Sequence, residues 1–112
     1  MKKIEAIIRS EQLAAVREEL EKLGYPGMTI SEVSGYGKQG GQTQQWRGMK
    51  YEVDFVPKIK IEIVVIDDDA PGITSAIIRT ARTGEPGDGK VFVLPVLSAA
   101  RIRTGDRDNN AI

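Results

Sequence analysis

The sequence contains neither cysteine nor histidine. Without cysteine the chain can form no disulfide and no thiolate metal site, and without histidine it lacks the commonest general base and the commonest zinc ligand. Lysine plus arginine and aspartate plus glutamate number 16 each, so the chain as a whole does not attract nucleic acid or an anionic membrane. An anion-binding site would therefore have to come from basic side chains that cluster locally.

Long apolar stretches are also lacking. No window approaches the roughly 20 apolar residues of a membrane-spanning helix, and the charge inside the N-terminal MKKIEAII argues against a signal peptide. We therefore expect a cytoplasmic protein. A length of 112 residues is enough for one hydrophobic core, so residues 1–112 are expected to form a single domain.

The first third of the chain predicts a strand, a helix and a second strand. Residues 2–10 have the apolar content of a partly buried strand, and residues 27–35 read as another. Between them, in residues 10–25, apolar side chains recur every three or four positions, which is the helical period. Ser10 is the predicted N-cap of this helix, and Gly24 stands where a glycine commonly ends one.

The second half repeats this order after a long connection. KIKIEIVVI, residues 58–66, alternates as a half-buried strand does. The acids of DDDAPG, residues 67–72, suit the start of a helix that continues through 73–82. A glycine-rich loop at 83–90 precedes a last strand at 91–96. The order predicts an α+β, ferredoxin-like double βαβ sandwich with a long loop between strands 2 and 3.

The alternation in the third predicted strand also bears on assembly. Its isoleucines would face the helices, which leaves Lys58, Lys60 and Glu62 on the opposite face beside apolar residues of other strands. A face that is half apolar and half charged is better buried against copies of itself than left in water. The pattern therefore predicts an oligomer.

The long connection is GYGKQGGQTQQWRGMKYEVD, residues 35–54. Connections in compact domains seldom exceed about 12–15 residues unless they have a function or are disordered. Its only tryptophan, Trp46, either packs locally or anchors a partner protein, since tryptophan is enriched at interface hot spots. We favour a binding element.

Three basic groups are candidates for binding an anion. The glycines of GDGK, Gly87–Lys90, would let backbone N–H groups approach a phosphate. Arg101 and Arg103 would lie on one face if their segment is extended, and Lys38 lies in the long connection. A plain turn or a solvated surface charge is the alternative in each case. A nucleoside triphosphate carries about four negative charges, and four cations would match it: Lys38, Lys90, Arg101 and Arg103.

Several stretches together resemble the PII signal-transduction (nitrogen regulatory) family over the whole chain. They are MKKIEAIIR, GMTISEVSGYGKQ, YEVDFVPKIKIEIVV, TARTGEPGDGKVFVLPV and RIRTG. The resemblance implies a homotrimer that binds ATP or ADP in the clefts between subunits, with Mg-ATP permitting 2-oxoglutarate to bind. The named loops of the family fall at about 37–55 (T-loop), 82–90 (B-loop) and 101–106 (C-loop).

The resemblance also implies partners and an absence of catalysis. The T-loop would regulate ammonium transporters, nitrogen-assimilation enzymes or their regulators, and the protein would meet a membrane only through a transporter. It implies no nucleic-acid partner. The residues implied to contact partner proteins are Trp46, Arg47 and Tyr51.

The ligand sites follow from the resemblance, residue by residue. Gln39 would give its side-chain oxygen to Mg²⁺, a cation that takes oxygen ligands, and Lys58 would pair with a carboxylate of 2-oxoglutarate. Arg101 and Arg103 would reach in from the neighbouring subunit. The residues implied to bind ATP or ADP are Thr29, Gly35, Gly37, Lys38, Gln39, Glu62, Val64, Gly87, Asp88, Gly89, Lys90, Arg101 and Arg103. Those implied to bind 2-oxoglutarate are Gly37, Lys38, Gln39, Gly41, Lys58 and Gly87.

The loop tip departs from the family pattern. It reads WRGMKY, residues 46–51, where the family usually has Tyr-Arg-Gly-Ala-Glu-Tyr. Tyr51 matches a tyrosine that some members have uridylylated or adenylylated, but Lys50 replaces the acid beside it, and an unmodified loop tyrosine is the alternative. Gly40 stands where lysine is common and Pro86 where isoleucine is common, which bears on the affinity for 2-oxoglutarate.

Two other classes of function fit parts of the sequence. A small ferredoxin-like phosphohydrolase could use Arg101, Arg103 and a water activated by Asp88. An RNA-binding module on this fold would need aromatic residues on the sheet and a basic surface. The chain offers only Phe55 and Phe92 as phenylalanines and no net positive charge, so the RNA-binding class is not favoured.

Overall fold

The computed structural model describes residues 1–36, 43–46, 49–52 and 55–112, with the backbone alone for 36, 43–46 and 49–52. The strands are β1 (Lys2–Ile8), β2 (Thr29–Tyr36), β3 (Thr43–Trp46), β4 (Met49–Glu52), β5 (Phe55–Val65) and β6 (Gly89–Pro95). The helices are α1 (Leu13–Lys22) and α2 (Ala70–Ala81). Short 3-10 helices cover Ser10–Gln12, Asp67–Asp69 and Asp108–Ala111.

Four strands form one antiparallel sheet in the order β2-β5-β1-β6. Each β-α-β half therefore places its two strands apart, with a strand of the other half between them. This strand order confirms the ferredoxin-like fold that the sequence predicts. β5 and β1 lie in the centre, while β2 and β6 form the two edges.

The core lies between the sheet and the two helices. Alternate residues of β1 and β5 point into it because side chains of a strand alternate between the two faces. Fully burying one such side chain contributes roughly 1.5–3 kcal/mol. The core residues of these strands and of the helices include Ile4, Ala6, Ile8, Ile59, Ile61, Ile63, Val65, Val16, Leu20, Ile73 and Ile77.

The sequence predicted the C-terminal end of α1 correctly and its N-terminal cap wrongly. Gly24 ends the helix as predicted: it has φ 91°, donates to the carbonyl of Glu21 at 3.0 Å, and the next N–H, from Tyr25, reaches the carbonyl of Leu20 at 2.9 Å. The prediction that Ser10 caps the other end is wrong. Ser10 lies inside a 3-10 turn that leads into α1, and no side chain caps either element.

The long connection contains a hairpin that the sequence did not reveal. β3 pairs with β4 in antiparallel register, with Thr43 opposite Glu52 and Trp46 opposite Met49. The strands TQQW and MKYE are four residues long and show little of the alternation that predicts a strand.

One hydrogen bond joins the end of α1 to the start of α2. The hydroxyl of Tyr25 donates to a carboxylate oxygen of Asp69. Burial, followed by this hydrogen bond and the charge of Asp69, raises the pKa of Tyr25 to about 12, from an ordinary value of 10.0. Because the folded-state pKa lies above the unfolded one, the contribution to stability is complete below pH 10 and is lost as the pH rises towards 12.

We expect Tyr25 to ionise at an unusually high pH. In the wild-type protein, absorbance at 295 nm should show a late step near pH 12, and Tyr25→Phe should remove that late step. Below pH 10 the same variant should lose about 1 kcal/mol of unfolding free energy in urea, the usual size of one hydrogen bond. A wild-type titration without a late step would contradict this.

Candidate functional site

The glycine-rich loop before β6 is organised around one carboxylate. Asp88 accepts hydrogen bonds from the backbone N–H groups of Thr83 and Gly84, each at 2.9 Å, and from the hydroxyl of Thr83. The Thr83 hydroxyl, followed by Arg9, holds the pKa of Asp88 well below its usual range. Asp88 therefore stays ionised and closes residues 83–88 into a ring.

Two cations, Arg9 directly after β1 and Lys58 on β5, hold the same loop. The guanidinium of Arg9 contacts Asp88 at 3.0 Å through Nε and donates to the carbonyl of Pro86 at 2.7 Å. The Nζ of Lys58 donates to the carbonyl of Gly87. Lys58 is 4% exposed, and its burial, followed by the charge of Arg9, lowers its pKa. The loop is therefore fixed at three successive residues.

The burial of Lys58 refines the sequence-based expectation. Lys58, Lys60 and Glu62 were predicted on one face of the third strand, and the burial of Ile59 and Ile61 between them confirms the alternation. Lys58 nevertheless does not form part of an exposed charged surface. It lies near the start of β5, where the loop before β6 covers it.

Gly89 brings this loop against β1. Its φ is 106°, and a Cβ built on it would lie 1.7 Å from the carbonyl oxygen of Ile7. Gly35, on β2, borders the same place, because a Cβ there would lie 3.3 Å from the Cγ of Lys58. The structure thus brings together the predicted residues Gly35, Lys58 and Gly87–Lys90.

A recess away from this loop holds three other predicted nucleotide-binding residues. Thr29, Glu62 and Val64 line a cavity of about 450 Å³ at the other end of the sheet. Its remaining lining residues are Lys3, Gly27, Met28, Ile63 and Val96. Apolar walls with a few polar groups are typical of small-molecule sites.

The two parts of the predicted nucleotide site are separated within one subunit. Lys58 and Val64 are six residues apart on β5, which at about 3.3 Å per residue is about 20 Å. The strand register also separates Lys90 from Val64: Lys90 lies opposite Ile7 and Val64 lies opposite Lys3, four residues or about 13 Å further along β1. One subunit therefore does not bring all the predicted residues to one place.

The face of the sheet away from the helices carries a square of charges. Lys60 lies 2.9 Å from Glu62 and 3.8 Å from Glu5, and Lys3 lies 3.2 Å from Glu5 and 3.6 Å from Glu62. The hydrogen bond with Glu62 raises the pKa of Lys60, and the same bond lowers the pKa of Glu62. The two lysines and two glutamates neutralise each other.

The C-terminal segment corrects one prediction. Residues 102–104 form a turn, in which Gly105 donates to the carbonyl of Arg101 at 2.8 Å. Arg101 also lies 3.8 Å from Asp106. The segment is not extended, so strand alternation does not place Arg101 and Arg103 on one face. Both are exposed.

Other predicted residues lie outside the described residues: Gly37, Lys38, Gln39, Gly41 and Arg47. Trp46 and Tyr51 fall on β3 and β4. Within the described part of the chain, no group of three or more acidic side chains is arranged to hold a metal ion. The predicted magnesium ligand Gln39 thus stays a prediction.

Arg9 is the functional candidate that the sequence reasoning missed. β1 and β6 pair with Ile8 opposite Gly89, and one step further along this register Arg9 lies opposite Asp88. The signal was therefore available once the two strands were known to be antiparallel neighbours with that register. Thr83 was missed too, since threonine in a loop carries no specific pattern.

The fold and loop define a class: a ferredoxin-like α+β protein with a glycine-rich loop held by cations at one end of its sheet. The family model "Nitrogen regulatory protein P-II" matches residues 1–106. The chain is 54% identical to the nitrogen regulatory protein P-II of Klebsiella oxytoca and to nitrogen regulatory protein P-II 1 of Escherichia coli strain K12. It is 52% identical to the nitrogen regulatory protein P-II of Pasteurella multocida. Each comparison spans 112 residues and the full length of both chains.

The chain therefore belongs to the nitrogen regulatory P-II family, and the resemblance found in the sequence is confirmed. These relatives are named as regulatory proteins and not as enzymes, in agreement with the expectation that the protein is not an enzyme. As for membranes, no helix in the described ranges has the length and apolar composition needed to cross one.

The contact at Gly89 leads to a stability prediction with a matched control. Gly89→Ala should lower the unfolding free energy by more than about 3 kcal/mol, because the added carbon combines an unfavourable φ with a collision against backbone. Gly72→Ala, in α2 with nothing within 4 Å of its added carbon, should instead stabilise by up to about 1 kcal/mol. Urea unfolding followed by circular dichroism compares them, and equal effects would contradict the close approach.

Proposed function

We propose that the protein is a cytoplasmic nitrogen regulatory P-II protein that senses ligands as a homotrimer. It binds ATP or ADP in clefts between subunits, binds 2-oxoglutarate when Mg-ATP is present, and regulates nitrogen-assimilation partners through the T-loop at about 37–55. Residues 1–112 would act as one domain, with the B-loop at about 82–90 and the C-loop at about 101–106.

The separation of the glycine-rich loop from the recess at Thr29, Glu62 and Val64 is the observation that carries this proposal. The phosphate-binding candidates, Gly87–Lys90, lie at one end of the sheet beside Lys58, and the candidates for the adenine lie further along β5, with Glu62 about 13 Å and Val64 about 20 Å from Lys58. A nucleotide that contacts both groups would do so most simply between two subunits. The exposed Arg101 and Arg103 would then contribute from the neighbouring subunit.

Exposed apolar side chains support the trimer. Phe92 and Leu94 are 49% and 39% exposed, and they lie opposite Glu5 and Lys3 on the face away from the helices. Leu97 and Ile102 are almost fully exposed. Large apolar patches of this kind mark interaction sites. The charged square on the same face is internally neutral, so burying it would not bury an unpaired charge.

The environment of Lys58 fits a carboxylate ligand. Its ammonium is buried and has a neutral carbonyl, that of Gly87, as its hydrogen-bond partner. A carboxylate of 2-oxoglutarate would give it a charged partner, and charge-assisted hydrogen bonds are roughly twice as strong as neutral ones. Magnesium would supply charge neutralisation for the triphosphate, with the side-chain oxygen of Gln39 as its protein ligand. Gly37, Lys38 and Gly41 would complete the ligand site beside it.

Partner proteins would contact the T-loop through Trp46, Arg47 and Tyr51. Ammonium transporters, nitrogen-assimilation enzymes and their regulators are the proposed partner classes, with a membrane met only through a transporter and no nucleic acid involved. Ligands would change the population of loop conformations that partners select. Tyr51 is the candidate for covalent nucleotidylation.

The geometry disfavours the alternative, a small phosphohydrolase. Asp88 would have to act as its general base, but this carboxylate accepts hydrogen bonds from Thr83, Gly84 and Arg9, and its pKa is held low. A strongly acidic carboxylate takes up a proton poorly near neutral pH. ATP turnover well above that of a Lys90→Ala variant would favour the hydrolase.

The nucleotide site is tested by calorimetry. We expect Arg103→Ala to weaken ATP binding at least about tenfold, or about 1.4 kcal/mol, because it removes a positive charge proposed to contact the phosphates. Arg79→Ala is the control: Arg79 is exposed on α2 and pairs with Glu19 at 2.7 Å. An Arg103 variant that binds like the control would count against the intersubunit site.

The 2-oxoglutarate site is tested by the order of binding. We expect 2-oxoglutarate to bind the wild-type protein with Mg-ATP present and not without it. Lys58→Met should abolish that binding while ATP is still bound, because methionine has a side chain of similar volume and lacks the ammonium group. Binding of 2-oxoglutarate to the variant would exclude the proposed role of Lys58.

A further inference from the structure

One arginine outside the glycine-rich loop contacts it at two points. Arg9 directly follows β1, and its guanidinium reaches residues 77 and 79 positions away, the carbonyl of Pro86 at 2.7 Å and the carboxylate of Asp88 at 3.0 Å. The side chains of Arg9 and Asp88 are 25% and 24% exposed, so the ion pair is partly shielded from water. Pairs of this kind are screened less than surface pairs.

The contact with Pro86 has a geometric consequence for the next residue. In a planar trans peptide, the C=O of one residue and the N–H of the next point in opposite directions. The Pro86 carbonyl points to Arg9, so the N–H of Gly87 points away from Arg9. The Gly87 carbonyl is held in turn by Lys58. The orientation of this N–H is therefore set before any ligand arrives.

We propose that Arg9 is a positioning residue for phosphate binding: by holding Pro86 and Asp88 it presents the N–H of Gly87 to the nucleotide. This inference rests on the proposed function. Arg9 acts through the loop, since its Nε and one terminal nitrogen are both engaged there. A fork of two fixed donors suits arginine, because lysine offers a single flexible ammonium and cannot reproduce the planar geometry.

The first part of the test needs no ligand. Arg9→Gln should raise amide hydrogen exchange at Thr83 and Gly84, which donate to Asp88, by about tenfold, the equivalent of one charge-assisted hydrogen bond. Arg9→Lys should give a smaller increase, since it keeps the charge without the fork. The matched control is Arg79→Gln, which removes an arginine that pairs with Glu19 on the helices. It should leave these amides unchanged.

The second part measures ATP affinity by calorimetry in the same proteins. Arg9→Gln should weaken binding by about tenfold, Arg9→Lys by less, and Arg79→Gln not at all, with thermal midpoints close to one another. Asp88→Asn and the double variant with Arg9→Gln complete a double-mutant cycle. If Arg9 acts through the loop, the losses of ATP affinity in the two single variants should be strongly non-additive.

Three results would overturn the inference. Unchanged exchange at Thr83 and Gly84 in Arg9→Gln would mean that the loop is ordered without Arg9. ATP affinity equal to wild type in that variant would mean that the ordering does not serve binding. Additive losses in the cycle would mean that Arg9 acts on the nucleotide independently of Asp88. A wild-type protein that binds no ATP would instead refute the proposed function, while the exchange data would still show whether Arg9 orders the loop.

Discussion

The antiparallel pairing of β1 with β6 is the constraint on which the candidate site depends. Its register places Gly89 opposite Ile8, so close that a side chain at residue 89 would collide with the carbonyl of Ile7. The same register, continued by one residue, sets Arg9 against Asp88. A loop with no regular secondary structure is thus held against the sheet at a fixed place, and the held conformation is what an anion would meet.

Charge is distributed unevenly in a chain with no net charge. On the face away from the helices, Lys3, Glu5, Lys60 and Glu62 neutralise one another. At the loop end, Arg9 pairs with Asp88, whereas the hydrogen-bond partner of Lys58 is the uncharged carbonyl of Gly87. These cations lie where glycines leave the backbone accessible. Net charge therefore gave no indication of the local grouping of cations on which the proposed anion site rests.

The proposed function links ligand binding to assembly. If one nucleotide contacts the loop of one subunit and the recess at Thr29 and Val64 of its neighbour, then binding stabilises the oligomer by mass action. A ligand shared between subunits also lets each cleft respond to the arrangement of both. Because Lys58 is buried beside the loop, the proposed carboxylate site would lie next to the proposed phosphate site, and occupation of one would influence the other through shared residues.

The sequence by itself determined the elements of the core and the order in which they occur. Alternation in β5 and three-to-four spacing in α1 reflect burial on one face, which is a local property of the chain. Gly24 was predictable for the same reason, because the hydrogen bonds that end this helix join backbone groups close together in sequence. The five stretches that resemble the P-II family likewise sufficed to indicate it, and the comparisons confirmed it.

Only the tertiary structure decided how the candidate residues are grouped. The pairing of Arg9 with Asp88 and the burial of Lys58 under Gly87 depend on strand registers between residues far apart in sequence. The separation of Lys58 from Val64 depends on their positions along a shared strand, and the turn at 102–104 overrode the expectation that Arg101 and Arg103 share a face. Spacing along a chain does not fix distances across a sheet, because a register shift of one residue reverses which side chains meet.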